Sequence, residues 1–158
     1  MRSECERAGK DPAAFRICHP IVCAPDLSEE RTIAISAARF LTYVVGMPVF
    51  AKAWPIRNDW DPATLQGLLD HPQFQKMARP TADQSFHREE IMDPARLVPE
   101  AWMRETCAIG SVDECVKTLR AFKEAGVDEL ALYGSTPAEN AALIAAWRKA
   151  EVQVGAAV

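Results

Sequence analysis

The sequence lacks long hydrophobic runs, and no apolar segment approaches the roughly 20 residues that cross a membrane. Its N-terminus is charged and has no signal-peptide core. The five cysteines, an odd number at irregular spacing, have the pattern of neither a disulfide framework nor a zinc site. We therefore expect a cytoplasmic protein with no membrane partner, no disulfides and no bound metal.

The sequence also has fewer positively than negatively charged residues, with 18 Lys and Arg against 22 Asp and Glu. The resulting net charge of −4 gives no support for binding to nucleic acid. The seven glycines form neither a P-loop nor a Rossmann phosphate loop. The composition is that of an ordinary globular domain. We expect a small-molecule substrate as the partner, and a homo-oligomer is left open.

The most informative stretch of the sequence is a helix followed by a buried strand near the C-terminus. Ser111 is a good N-cap, and Glu114 stands three residues later, where its carboxylate completes a capping box. Gly126 can take a positive φ and end the helix. Residues 130–133 form a short apolar run typical of a parallel strand covered on both faces. Apolar residues at helical spacing define the buried face of the helix: Val112, Cys115, Val116, Leu119 and Phe122.

An earlier strand is predicted over residues 15–24, although Pro20 lacks an N–H and should cause a bulge or a gap in pairing. A helix follows it. Either Asp26, with Glu29 as its partner, or Ser28 can be the N-cap of that helix.

Residues 47–98 interrupt the α/β pattern with six prolines. Asp61-Pro62 and Asp93-Pro94 each suggest an N-cap followed by a proline in the first helical position. Short helices are predicted at about 62–70 and 84–91. So long a segment within an α/β repeat is more consistent with a functional insertion, closing over a pocket, than with a linker.

Two further helices are predicted towards the C-terminus. One begins after Val98-Pro99 and ends at about Ala108. The last begins at Thr136, whose capping-box partner is Glu139, and ends at about Lys149.

Three stretches together resemble a known family. They are "AIGSVDECVKTLRAFKEAGVDELALYG" at 108–134, "AGKDPAAFRI" at 8–17, and "ALYGSTPAENAALIAAWR" at 131–148. Their order and spacing resemble the C-terminal part of the luciferase-like monooxygenases, which are flavin- or F420-dependent (β/α)₈-barrel oxidoreductases. The third stretch is similar to the ending of a branch of probable F420-dependent oxidoreductases.

The resemblance implies an α/β fold, namely the C-terminal part of a (β/α)₈ TIM barrel with about two of its strands. A complete barrel needs about 250 residues, so the 158 residues are expected to form a single partial barrel domain. Within it, residues 47–98 would be a mostly helical insertion or lid, and residues 152–158 a tail.

The resemblance also implies a function, the transfer of hydride between reduced F420 and an organic substrate. An FMN-dependent monooxygenase of the same family is the first alternative. Another alternative is an inactive fragment or an assembly module without catalysis. A third is an unrelated α/β enzyme that shares with the family only the common residues at the ends of helices and strands. No motif match assigns a catalytic residue.

The loop after the last predicted strand holds Gly134 and Ser135 as candidate cofactor- or substrate-binding residues. In barrels this loop lies at the active-site end, and backbone N–H groups at a helix N-terminus can hold an anion. The plainer interpretation is that Gly134 turns the chain while Thr136 caps the helix.

Three further binding candidates come from residue type and position. His19 lies within the first strand and either points into a site or is a satisfied core histidine. His87, in the insertion, either lines a site or lies on a solvated helix face. Trp54 and Trp60 lie in an irregular segment, where they either wall a flat ligand or anchor a loop.

Overall fold

The structure is a computed structural model that describes residues 2–76 and 85–155. The described strands are β1 (Cys18–Pro25), β2 (Ala108–Gly110) and β3 (Glu129–Tyr133). The described helices are α1 (Arg2–Arg7), α2 (Glu29–Ile35), α3 (Ala37–Gly46), α4 (Pro48–Asn58), α5 (Pro62–Leu69), α6 (Arg88–Ala95), α7 (Glu100–Thr106), α8 (Val112–Glu124) and α9 (Ala141–Gly155). Short 3₁₀ turns occupy Pro12–Ala14 and Phe74–Lys76.

The described strands form one parallel sheet in the order β2-β1-β3. Cys23 lies opposite Ala108 on one side, and Val22 lies opposite Tyr133 on the other. Pro20 keeps its register with Ala131, so there is no bulge at this proline. Pairing with β2 begins only at Cys23, which leaves Pro20 outside that ladder.

Helices cover both faces of the sheet, because the side chains of β1 alternate between two apolar clusters. Val22 and Ala24 belong to the cluster that also includes residues of α2, α3 and the insertion at 47–98. Ile21 and Cys23 belong to the other cluster, with α8 and α9. The result is a three-layer α/β/α arrangement in which β1 is the central strand and its last five residues are buried.

The strand order differs from that of a barrel segment. Three consecutive barrel strands would pair in chain order, whereas β1 lies here between β2 and β3. The prediction of a parallel α/β fold is confirmed, but the described residues form an open sheet rather than a barrel. An open parallel sheet of this kind has a crevice at the carboxyl ends of its strands, where the strand order reverses.

Strand β2 was missed, because the sequence predicts a helix that continues to about Ala108. Helix α7 ends at Thr106, and the next residues pair with the end of β1. Three residues are too few to show a strand period. Pairing with a strand more than 80 residues earlier in the chain determines the conformation of Ala108 and Ile109.

One of the two proline-started helices is confirmed. The Asp61 carboxylate accepts hydrogen bonds from the backbone N–H groups of Ala63, at 3.1 Å, and Thr64, at 3.0 Å. The prediction for Asp93-Pro94 is wrong, since Pro94 lies inside α6. That helix begins instead after His87 and runs later than the predicted 84–91, of which residue 84 lies outside the described residues.

Helix α4 was not predicted, because Pro48 and Pro55 obscure its pattern. Pro48 occupies a position in the first turn, where the missing N–H costs nothing. Pro55 lies inside the helix, which ends at Asp59 in the left-handed conformation, with φ of 55°. Trp54 is therefore helical, and its prediction as part of an irregular segment is wrong.

The insertion at residues 47–98 also contributes to the main apolar core. Its described residues with little exposure in that cluster are Trp60, Leu65, Leu68, Phe74, Ile91, Ala95 and Val98. This segment is part of the packed fold, and not only a cover over it.

The predicted caps are largely confirmed. Ser28, rather than Asp26, caps α2, and its hydroxyl accepts a hydrogen bond from the Arg31 N–H at 3.3 Å. Ser111 and Glu114 form the predicted capping box of α8. Gly126 has φ of +96°, as a helix stop requires.

The last helix lies later in the chain than predicted. Thr136 and Glu139 form the predicted capping-box hydrogen bonds, but these close a turn over 137–140. The helix α9 begins only at Ala141, so the predicted start at Thr136 is wrong, and it continues past Lys149 to Gly155. The predicted tail at 152–158 is therefore helical over its first part, and residues 156–158 lie outside the described residues.

In the part of the chain that the structure describes, no single helix is long and apolar enough to cross a membrane. One pair, Glu29–Gly46 with Pro48–Asn58, meets the criteria of length and composition together but is bent by 120°.

Candidate functional site

The carboxyl end of β3 opens into a cavity of about 590 Å³ between α2, α3 and α6, here called the Arg31 cavity. Its lining combines two arginines with apolar and aromatic side chains. The lining residues are Arg31, Ala34, Ile35, Ala38, Arg39, Thr42, Phe86, Ile91, Tyr133 and Gly134. A cavity of this size, mostly apolar and with a few polar groups, is typical of small-molecule sites.

An ion pair lies at one side of the Arg31 cavity. Arg31 donates from Nε and Nη2 to the two carboxylate oxygens of Glu139, at 2.9 and 3.1 Å. Its Nη2 also donates to the Gly134 carbonyl at 3.3 Å. The Arg31 hydrogen bonds and the Thr136 N–H lower the pKa of Glu139 to about 2. The carboxylate is therefore charged at neutral pH and holds the guanidinium at the end of β3.

Gly134 allows the close approach of β3 to α2. Its φ is +92°, a conformation that favours glycine. A Cβ at this position would lie 3.3 Å from Val22 Cγ1 and 3.4 Å from Ile35 Cβ. The role predicted for Gly134 in turning the chain is thus seen directly, and its position on the cavity wall keeps it a binding candidate.

Ser135, the next residue, has a buried hydroxyl with no hydrogen-bond partner among the described residues. The same holds for Oδ1 of Asn140, a residue that is 4% exposed. Buried polar atoms are rarely left unsatisfied. The Thr136 hydroxyl, in contrast, accepts a hydrogen bond from the Glu139 N–H at 3.2 Å. Ser135 lines neither of the cavities that Gly134 and Tyr133 border, so the structure does not bring its buried hydroxyl to a binding surface.

A second cavity of about 350 Å³ adjoins the first and is here called the aromatic cavity. It lies between the sheet and helices α3, α4 and α7. Six aromatic side chains line it: Phe40, Tyr43, Phe50, Trp54, Trp60 and Tyr133. Arg39 and Tyr133 line both cavities and so form the boundary between them.

Trp54 is the centre of a stacked aromatic group on the wall of this cavity. Its ring stacks on Phe50, with centroids 5.0 Å apart and 19° between planes, and on Phe40, at 5.5 Å and 24°. The guanidinium carbon of Arg39 lies 5.1 Å above the ring of Tyr43. Trp54 thus lies on the wall of a cavity, where it can contact a flat ligand, and this contact is one of its two predicted roles.

His19 lies away from the carboxyl ends of the strands. It is half-buried, stacks on Phe122 at 4.6 Å, and has a pKa lowered by burial. It precedes Cys23 by four residues, about 13 Å along an extended strand. The structure therefore does not bring His19 together with Gly134, although His19 also borders the aromatic cavity.

His87 is exposed at the start of α6, where its backbone N–H donates to the Glu90 carboxylate at 2.7 Å. It lines neither the Arg31 cavity nor the aromatic cavity. Its neighbours Phe86 and Ile91 contribute to the Arg31 cavity instead.

Sequence reasoning missed Arg31, Arg39 and Tyr133. No short motif surrounds the two arginines, and only the packing of α2 and α3 on the sheet places them at the cavities. Tyr133 had a signal, since it is the last residue of the predicted strand. Burial raises the pKa of Tyr133, so its phenol stays protonated at neutral pH and can donate a hydrogen bond.

The buried cysteines do not contribute a nucleophile. Burial raises the pKa of Cys23 to about 12, and those of Cys107 and Cys115 to about 11. Their thiols are therefore protonated and unreactive at neutral pH. Both Cys107 and Cys115 are buried, and Cys115 lies on the buried face predicted for its helix.

Comparison with known proteins gives one match. The family model described as luciferase-like monooxygenase matches residues 1–129 of the 158-residue chain. The match includes β1 and β2 and ends at the first residue of β3. Neither a curated protein nor a solved structure matches the chain. Residues 131–148, which carry the resemblance to the F420 branch, lie beyond the matched region.

Proposed function

Because the chain belongs to the luciferase-like monooxygenase family, we propose that it is the C-terminal part of an oxidoreductase. This enzyme would transfer hydride between reduced F420 and a small organic substrate. Members of the family are oxidoreductases and monooxygenases that bind flavin or F420. The choice of F420 is supported by the resemblance of residues 131–148 to the ending of that branch. An FMN-dependent monooxygenase is the alternative within the family.

The family fold is a TIM barrel, whereas the described strands form an open sheet in the order β2-β1-β3. In this proposal further strands would pair with the open edges at β2 and β3 and complete the cofactor site, in an order that departs from a regular barrel. The segment 47–98 would act as the wall of the site, because Phe86 and Ile91 line the Arg31 cavity while Phe50 and Trp54 line the aromatic cavity.

F420 and FMN both carry a planar tricyclic ring and a phosphate, and the residues of the Arg31 cavity fit such a group. Arg31 supplies a cation at the end of β3. The position of this guanidinium on the wall of a largely apolar cavity of about 590 Å³ is the observation that carries the proposal, because it offers a phosphate a charged partner beside space for a flat ring. When bound, F420 would supply the hydride, whereas reduced FMN would activate oxygen.

The chain's own residues would bind and orient the reactants. Arg31 would bind the phosphate while it keeps part of its pairing with Glu139. Phe86 and Ile91 would exclude water from the Arg31 cavity. Tyr133, protonated and placed between the two cavities, would donate a hydrogen bond to the substrate.

Titration of the 158-residue chain with F420, FMN and riboflavin tests the proposal. We expect F420 to bind more tightly than FMN, but more weakly than about 10 µM, since three strands supply only part of a barrel-mouth site. Arg31→Gln should weaken both by about tenfold through loss of a charged phosphate contact. Riboflavin, which has no phosphate, should be unaffected by this change. Arg57→Gln, at an exposed position of α4, is the matched control.

The outcomes separate the alternatives. Tighter binding of FMN than of F420 would favour the monooxygenase. No saturable binding of either at about 1 mM would favour a non-catalytic fragment or assembly module. Saturation below about 10 µM would contradict the view that further strands complete the site.

A further inference from the structure

We propose that the aromatic cavity binds a planar aromatic carboxylate, with the ring against Trp54 and the carboxylate on Arg39. The binding itself follows from the cavity. Its assignment as the substrate class of the enzyme rests on the proposed function.

The shape and chemistry of the cavity favour a flat ring. Trp54 stacks on Phe50 and Phe40 within 5.5 Å, with 19° and 24° between planes, so the three rings form a nearly parallel stack at the cavity. Trp54 and Phe50 are only half-buried, and both line the cavity. A planar aromatic ligand would cover this exposed apolar surface by stacking, an arrangement that aromatic pairs prefer.

The charge at the cavity favours an anion. Arg39 lines it, whereas no Asp or Glu among the described residues does. Arg39 donates from Nη2 to the Tyr43 hydroxyl at 3.2 Å and lies over the Tyr43 ring. Arg39 also hydrogen-bonds with Tyr133. A guanidinium has five N–H donors in a planar fork, so it can bind a carboxylate while it keeps its bonds to the two tyrosines. Arg39 is also exposed, and a ligand can reach it without a change in the core.

The size of the cavity favours a substrate over the cofactor ring. Its volume of about 350 Å³ is near the lower end of small-molecule sites, and the Arg31 cavity is larger, at about 590 Å³. A one- or two-ring acid suits the former, and a tricyclic cofactor with a phosphate suits the latter. Arg39 and Tyr133 separate the two cavities by one layer of side chains, so both ligands would lie next to each other.

The test uses 2-naphthoate and its neutral analogue 2-naphthamide, titrated calorimetrically into the cofactor-free chain. We expect saturable one-to-one binding of 2-naphthoate, with 2-naphthamide at least about tenfold weaker. Arg39→Gln should weaken 2-naphthoate binding by about tenfold and remove the difference between acid and amide. Arg57→Gln, the matched loss of an exposed arginine, should change neither affinity by more than about twofold.

A second variant tests the ring. Trp54→Leu should weaken both ligands by about tenfold while the ratio between acid and amide is preserved. Should this variant fail to fold, Arg39→Gln still decides, because Arg39 lies at the surface.

Absence of saturable 2-naphthoate binding would overturn the proposal. So would equal affinity for acid and amide, or an equal loss in Arg57→Gln and Arg39→Gln. One-to-one competition between FMN and 2-naphthoate would assign the aromatic cavity to the cofactor ring and overturn its assignment to the substrate. Failure of the proposed function is distinguishable, since it appears as absent cofactor binding and absent dependence on Arg31, while 2-naphthoate still binds.

Discussion

The guanidinium of Arg31, on α2, binds both carboxylate oxygens of Glu139, at the turn that precedes α9. The two residues are 108 positions apart in the chain, and Arg31 also donates to the carbonyl of Gly134. The pair therefore fixes the loop that follows β3 against the helix that follows β1. The Arg31 cavity depends on the position of this loop, because Gly134 lines it.

The pair predicts a specific pH dependence of stability. The pKa of Glu139 is lowered from its ordinary 4.5 to about 2, mainly by the Arg31 hydrogen bonds. A lowered folded-state pKa stabilises the fold above the unfolded pKa, and this contribution is lost as pH falls through the folded value. Glu139→Gln should therefore have a lower Tm than wild type at pH 5 to 7. That difference should shrink between about pH 4.5 and pH 2.

Thermal unfolding of both proteins across this pH range measures the difference. Glu6→Gln, which removes an exposed carboxylate from α1, serves as the control and should show no comparable trend. A Tm difference between wild type and Glu139→Gln that stays constant down to pH 2 would show that the ion pair does not cause it.

Substitution by alanine should change the free energy of unfolding in opposite directions at two glycines. Gly134→Ala places a Cβ on a residue with φ of +92° and close to Val22 and Ile35, so it should destabilise the fold by about 1–2 kcal/mol. Gly67 lies in the interior of α5, with nothing within 4 Å of an added Cβ. Gly67→Ala should stabilise by about 0.5–1 kcal/mol. Urea unfolding of both variants checks the pair, and equal effects would contradict it.

The cap of α8 predicts a third stability change. The Ser111 hydroxyl accepts a hydrogen bond from the Glu114 N–H at 3.2 Å, and Glu114 accepts one from the Ser111 N–H at 2.7 Å. Ser111→Ala should cost about 1 kcal/mol, whereas Ser111→Asp, which keeps an acceptor, should cost much less. The denaturant midpoint measures both, and an unchanged midpoint for Ser111→Ala would mean that the cap contributes nothing.

Local features of this fold could be predicted from the sequence. The caps at Asp61 and Ser111 and the helix stop at Gly126 all follow from side-chain or backbone chemistry within four residues. Strand β3 follows from a short apolar run next to such a stop.

Features that depend on distant partners could not be predicted. Strand β2 is a strand because it pairs with β1, and the central position of β1 follows from the packing of helices on both faces. Of the binding candidates taken from the sequence, Gly134 lines the Arg31 cavity and Trp54 and His19 line the aromatic cavity, whereas Ser135 and His87 line neither. Their role in binding stays a prediction. Arg31 and Arg39 were not found from the sequence, since only tertiary packing brings them to the cavities.

Trp60, in the insertion at residues 47–98, packs against helix α7, and this contact predicts how the insertion affects stability. Its ring stacks on Trp102 with centroids 4.5 Å apart and planes 3° apart, and its Nε1 donates to Glu105 at 2.6 Å. Deletion of residues 54–60, the simplest test of a lid, would therefore remove part of the core.

Trp60→Ala should lower the free energy of unfolding, measured in urea, by about 3–5 kcal/mol. Ile56→Ala, at a position on α4 that is 83% exposed, should stay within about 0.5 kcal/mol of wild type. If Trp60→Ala were as mild as Ile56→Ala, the segment would be a detachable cover, and the deletion would become a valid test of its effect on turnover.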